Sequence, residues 1–164
     1  MRIFFILIFT ACANHAYSSG AGGLVGLDGA NHTLSEYVGR GQWVMLNVWS
    51  PGCGHCLDEL PTLRSFHENN SFGAMVLGVA VAYPGFGYPD SEQLSAFAAE
   101  NKVNFPVLLA DRALTSDFVG SYVDVIPITL AFHPDGRMVA KWHGVITLVD
   151  INEIIRDFTV QKNE

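Results

Sequence analysis

Apolar and polar residues fall along this chain in blocks that predict their own elements. Residues 43–49 are an apolar run broken only by Asn47, and the Val and Trp content predicts a strand buried on both faces. Residues 74–82 form a second continuous apolar run and predict a second such strand. Between them, 53–69 sets Leu57, Leu60, Leu63, Arg64 and His67 near helical spacing, with Leu60, Leu63 and Phe66 apolar and Pro61 expected to kink the helix. A helix over 91–101 with Ser91 as N-cap, a short strand within 105–110 and a helix over 114–119 closed by Gly120 come next. Residues 128–132, the turn Pro134-Asp135-Gly136 and 138–143 read as a hairpin, and 150–160 as a last helix, apolar at Ile151, Ile154, Ile155 and Phe158. Upstream, 24–27 followed by Asp28-Gly29 reads as a short strand and tight turn. Thr33-Leu34-Ser35-Glu36 has the spacing of a capping box for a short helix ending near Gly39. Strands alternating with helices imply parallel pairing through crossovers, and the late hairpin adds antiparallel strands. The expectation is an α/β domain over 24–161, a central mixed sheet flanked by helices with an N-terminal strand or hairpin extension.

The first residues belong to a different pattern. Met1-Arg2 is a minimal basic start, and 3–9 are wholly apolar before Thr10-Ala11-Cys12-Ala13. About 11 residues is short for a bilayer-spanning helix and suits the core of a signal peptide. Small residues allow cleavage after Ala13 or after Ala16, so residues 1–16 are expected to be a leader and 17–23, rich in Ser, Gly and Ala, a linker. Phe9-Thr10-Ala11-Cys12 also resembles a lipobox, which makes Cys12 the candidate for lipidation, with a leader ending at residue 11. Both readings imply a periplasmic or otherwise extracytoplasmic protein, held at a membrane only if Cys12 is lipidated.

Charge narrows the partners. Nine Lys and Arg against 16 Asp and Glu leave a net charge of -7, and loss of Arg2 with the leader would make it -8. No basic run exists, so nucleic acid is excluded as a partner on electrostatic grounds.

Of three cysteines, Cys12 falls in the leader and only Cys53 and Cys56 remain for the domain. A bridge across so short a loop restrains the unfolded chain little, so the pair is a poor structural staple in an exported protein and a good redox centre. The order strand, turn, Cys-x-x-Cys, helix puts Cys53 at a helix N-terminus, where unpaired N–H groups and the helix dipole favour the thiolate, the species that attacks disulfides. Cys56, one turn on, can resolve the mixed disulfide. His55 between them is placed to tune the thiolate. Covalent haem attachment would need His where Leu57 stands. Half a zinc site, or a metallochaperone using Cys53, Cys56 and His55, would need further ligands at matching spacing, and none follows. A peroxide-reducing cysteine is not separated from disulfide exchange by residue types alone.

The stretch Val44-Met45-Leu46-Asn47-Val48-Trp49-Ser50-Pro51-Gly52-Cys53-Gly54-His55-Cys56-Leu57-Asp58-Glu59-Leu60-Pro61 resembles the active-site segment of TlpA/ResA-like thioredoxins. Phe105-Pro106-Val107-Leu108, Val125-Ile126-Pro127-Ile128-Thr129 and Pro134-Asp135-Gly136 with Gly144 continue the resemblance in order, so that it covers about 24–158. It implies a thioredoxin fold and an extracytoplasmic thiol–disulfide oxidoreductase. The function implied is exchange with client disulfides, in the reducing direction of the cytochrome c maturation type, fed by a membrane thiol–disulfide electron donor. No cofactor or metal is implied. Residue by residue, Cys53 becomes the nucleophile and Cys56 the resolving thiol. Pro127 becomes the cis-proline whose bond turns the Ile126 backbone toward an extended substrate. Glu59 becomes a carboxylate near Cys56 that relays its proton. Asn47 also matches this subfamily. Trp49 is expected to pack beside the pair; an aromatic four before such a cysteine is more often core than contact surface, but its ring edge can be both, which makes Trp49 a substrate-binding candidate. The Gly54-His55 insert departs from the Glu-Pro type of many reducing members and matches protein disulfide isomerase, which keeps an oxidase or isomerase direction open. Tyr83, Phe86 and Tyr88 lie in the loop after the second parallel strand, which shares a sheet edge with the cysteines and is either a partner surface or a loop packed on itself. His15, His32, His67, His133 and His143 are scattered and read as structural or solvent-facing.

Overall fold

The computed structural model describes residues 23–69, 72–86 and 90–160. The expected leader, Cys12, most of the linker, and Tyr88 lie outside them. Two apolar runs become the centre of the sheet: β3 (Trp43–Trp49) is buried at every position and β4 (Ala74–Val81) at all but one. They pair in parallel, and β4 pairs in parallel with β5 (Val107–Ala110). The crossovers are α1 (Gly54–Asn69) and α2 (Ser91–Glu100). Helix α3 (Arg112–Val119) follows β5, and β6 (Ile128–Phe132) returns antiparallel to β3. Strand β7 (Met138–His143) completes the hairpin with β6, and α4 (Leu148–Val160) ends the described chain. At the far edge, β1 (Leu24–Gly26) pairs antiparallel with β5 and with β2 (Asn31–His32). The sheet order is β2-β1-β5-β4-β3-β6-β7.

Differences from expectation cluster at element ends. Helix α2 starts at Ser91, but its N-cap is Asp90, whose carboxylate accepts the Gln93 N–H at 2.7 Å. Helix α3 begins two residues before the expected Leu114, because Asp111 caps it by accepting the Leu114 N–H at 2.6 Å. The final helix likewise starts at Leu148 rather than Asp150. Glu36 reaches back to the Thr33 N–H at 2.8 Å, yet the segment it opens is a single 3₁₀ turn, Leu34–Glu36, not an α-helix. Helix α1 runs through Pro61, and Cys53 stands immediately before it rather than within its first turn.

The topology sets one edge apart. The carboxyl ends of β3, β4 and β5 lie together, and antiparallel pairing brings the start of β6 and the end of β7 to the same edge. The turn after β3, the Ile126–Pro127 bond ahead of β6 and the loop after β7 therefore meet there.

Candidate active site

Cys53 and Cys56 form a disulfide across that edge, with Cα atoms 5.2 Å apart. Ser50, Pro51 and Gly52 turn the chain out of β3, and the Cys53 N–H closes the turn on the Ser50 carbonyl at 3.0 Å. The Cys53 carbonyl then accepts from the Cys56 and Leu57 amides at 3.0 and 3.1 Å, which starts the helix. The Cys56 N–H also points at the Cys53 sulfur, 3.2 Å away. A helix N-terminus and a directed backbone donor both favour negative charge on Cys53 once the disulfide opens. Both cysteines are nearly covered, at 4% and 1% exposure, with Cys53 the more accessible.

The Ile126–Pro127 peptide bond is cis, as the resemblance implied. The Ile126 carbonyl oxygen lies 3.9 Å from the Cys53 sulfur. Gly144 N–H donates to the Pro127 carbonyl at 2.9 Å and ties the loop after β7 to the same place.

Glu59 follows Cys56 by three residues, so both lie on one face of α1. The carboxyl group is fully buried. Its two oxygens are held separately, Oε1 by Asn47 Nδ2 at 2.7 Å and Oε2 by the Ile146 N–H at 2.9 Å. Asn47, the polar interruption in β3, also donates to Thr129 Oγ1 at 3.0 Å. Burial pushes the Glu59 pKa up to about 7, against the Ile146 and Asn47 hydrogen bonds that favour the charged form. The group therefore changes protonation near neutral pH.

His55 points outward, its side chain 82% exposed and its Nδ1 3.5 Å from Asp58 Oδ2. Trp49 corrects an expectation: it is 1% exposed, packs at 5.3 Å between ring centroids on Phe97, and offers no edge to a substrate. Ile126 is buried as a side chain and takes part through its carbonyl. Of the scattered histidines, His67 accepts the Val76 N–H, His133 packs edge-on against Trp43, and His32 pairs with Glu36. Among the described residues no three His, Cys, Asp or Glu side chains come together as a metal site, and no helix is long and apolar enough to cross a membrane.

Residue reasoning missed the Ile146 amide and Thr129, which hold Glu59 and Asn47, and Arg112, which lies over Tyr83 and Tyr122. Only Arg112 carried a signal, as a lone basic residue opening a helix in an acidic chain.

A family model described as the AhpC/TSA family matches residues 21–141. The chain is 25% identical over 92 residues to the thioredoxin-like protein YneN of Bacillus subtilis, an overlap of 56% of this chain and 51% of that one. It thus spans about half the length of the curated relative it matches. Among solved structures, the exposed lipoprotein thioredoxin of Streptococcus pneumoniae superposes with a TM-score of 0.68 at 22% identity, over 84% of this chain and 99% of that one. A secreted thiol-disulfide isomerase of Corynebacterium glutamicum superposes with a TM-score of 0.67 at 25% identity, over 81% and 79%. The fold is the thioredoxin fold that the resemblance implied.

Proposed function

The chain belongs to the AhpC/TSA family, and from that premise we propose that it is an extracytoplasmic protein-disulfide oxidoreductase working through Cys53 and Cys56 as a reductant of client disulfides. The observation that carries this reading is the cysteine pair at the start of α1, with the Cys56 amide aimed at the Cys53 sulfur. The Cys53 thiolate attacks a client disulfide, one client sulfur leaves as thiolate, and a mixed disulfide forms. Cys56 gives its proton to Glu59 and attacks Cys53; the internal disulfide forms and the second client sulfur leaves. Glu59 suits this step because its carboxyl holds and releases a proton near pH 7. A membrane thiol donor then restores the dithiol. The leader, and lipidation at Cys12 or cleavage near residues 13–16, complete this reading of location.

The opposite direction, oxidation or isomerisation, is favoured by His55, whose imidazolium would stabilise the Cys53 thiolate and raise the potential. Both directions share the first chemical step. A Cys56→Ser protein mixed with a disulfide-bonded model protein should accumulate a mixed disulfide through Cys53 that dithiothreitol releases, and Cys53→Ser should form none. Adducts that form equally with Cys53→Ser, or with neither protein, overturn the assignment.

A further inference from the structure

Side chains, not secondary structure, place the backbone ahead of β6. Residues 121–127 belong to no helix or strand. Side chains of α3 and of the loop after β4 hold them instead. Ser116 Oγ accepts the Val123 N–H at 3.3 Å, Arg112 Nη2 donates to the Val123 carbonyl at 3.0 Å, and the Tyr83 hydroxyl donates to the Asp124 carbonyl. Burial of Val123 and Ile126 keeps the segment against the core, but the directions of its carbonyls follow from these hydrogen bonds.

Arg112 is the centre of the arrangement. Its guanidinium lies 5.4 Å from the Tyr83 ring centroid and 4.5 Å from that of Tyr122, where the ring faces attract a cation. Its Nε is buried with no hydrogen-bond partner among the described residues, a cost that an arginine turned to solvent avoids. Tyr83 in turn stacks on Phe86, with centroids 5.6 Å apart and planes at 22°. Phe86 lies on the cysteine turn: a Cβ on Gly52 would come within 2.8 Å of Phe86 Cβ. One guanidinium thus ties 122–124 to the loop that rests on Gly52, the residue before Cys53.

Ile126 follows that segment by two residues, and its carbonyl oxygen lies 3.9 Å from the Cys53 sulfur. The Cys56 N–H points at the same sulfur from 3.2 Å. In the dithiol these two groups act against each other. The N–H favours the thiolate, whereas the carbonyl oxygen accepts the thiol S–H and turns its negative end on the thiolate.

We propose that Arg112 is a positioning residue of the redox centre, holding the Ile126 carbonyl against Cys53 and so restraining the thiolate. The proposal rests on the reading of Cys53 as the attacking thiol and adds what limits its reactivity. A less stabilised thiolate makes the reduced form less stable, so the clamp pulls the couple toward the reducing side. The other titratable side chains on the elements that meet at Cys53 are His55, Cys56, Asp58 and Glu59 on α1, Asp124 in the clamped segment and His143 at the end of β7. The variants below leave all of them in place.

The test follows alkylation of Cys53 by iodoacetamide in the reduced protein from pH 5 to 9, with the modified peptide identified by mass spectrometry. The thiolate forms the new S–C bond and iodide leaves, so the rate on the rising limb reports the thiolate fraction. Arg112→Met should react about threefold faster on that limb, the lower end of what one hydrogen bond contributes, and reach the wild-type plateau at high pH. Tyr83→Phe, which loses only the tie to Asp124 and no charge, should shift the same way by less. Arg112→Lys, which keeps a cation and a donor there, should return most of the way to wild type. Loosening that merely uncovers the sulfur would raise the rate equally at every pH, and loss of a positive charge alone would lower it on the rising limb. Either result, or an unchanged profile in Arg112→Met, overturns the proposal. If wild-type Cys56 is alkylated before Cys53, the reading of Cys53 as the attacking thiol fails and takes the proposal with it.

Discussion

Replacing Glu59 with Gln should flatten the dependence of stability on pH. The Glu59 carboxyl moves from an ordinary 4.5 to about 7 on folding, chiefly through burial. The folded protein therefore holds this proton more tightly than the unfolded chain, and stability falls as pH rises. The loss begins near 4.5, grows through 7 and is complete above it. Its full size is about 3 kcal/mol, of which about 2.5 kcal/mol falls between pH 5 and 8. Gln also carries a cost of its own. Two donors, Asn47 Nδ2 and the Ile146 N–H, face the two oxygens, and an amide must turn an N–H toward one of them. That cost of about 1–3 kcal/mol applies at every pH, so only the change with pH tests the reasoning. His67, whose pKa burial lowers, titrates in both proteins and cancels in the comparison. Asn47→Ala supplies a second arm: it removes a bond that favours the carboxylate, so the fall in stability should extend to higher pH. Urea denaturation of the oxidised proteins at pH 5, 6, 7 and 8 measures all three. A difference between wild type and Glu59→Gln that stays constant over this range would refute the account of a buried carboxyl titrating near neutrality.

Three further outcomes are expected. His55→Pro should lower the reduction potential of the Cys53–Cys56 couple within the interval from about −270 to −180 mV; the exposed imidazole limits the drop to about 10–20 mV, and an unchanged or higher potential in a glutathione titration removes the imidazole from the tuning. Gly78→Ala should destabilise the protein by about 1–3 kcal/mol in chemical denaturation, because its methyl would sit 3.0 Å from Trp49 Nε1 and 3.1 Å from the Phe105 ring; unaltered stability would mean those rings move freely. Mass spectrometry of the protein from its native host should show residues 1 to about 13–16 removed, or a diacylglyceryl group on Cys12, and an intact Met1-Arg2 start refutes both.

The centre of the sheet was legible because β3 and β4 are buried on both faces, and such strands must be apolar throughout. Helix starts were legible only to within two residues. Asp90 displaced the expected cap and Asp111 the expected start, because a carboxylate cap acts ahead of the apolar periodicity that marks a helix. At the site, Cys53, Cys56 and Pro127 could be named from spacing and resemblance. The Ile146 amide could not, since any residue supplies a backbone N–H and this one lies 87 positions from Glu59. The Gly52–Phe86 contact was hidden for a similar reason: glycine in a turn ordinarily signals backbone freedom, whereas here it makes room for a side chain from another loop. For Trp49 the core placement held and the substrate-facing edge did not, because an aromatic near a reactive cysteine reads the same whether it faces the core or a substrate.

The direction of β1 bears on how the domain would be presented if it were held by its N-terminal side. β1 is antiparallel to β5, with Val25 opposite Leu109 and Gly26 opposite Leu108, so Leu24 enters the sheet at the carboxyl ends of the parallel strands. The disulfide stands on that same edge. Twelve steps of chain separate Cys12 from Leu24, a leash of at most about 40 Å when fully extended. A domain attached through Cys12 would carry its point of attachment and its thiols on one edge of the sheet, so that partners embedded in the mooring surface lie within the leash's reach of the disulfide.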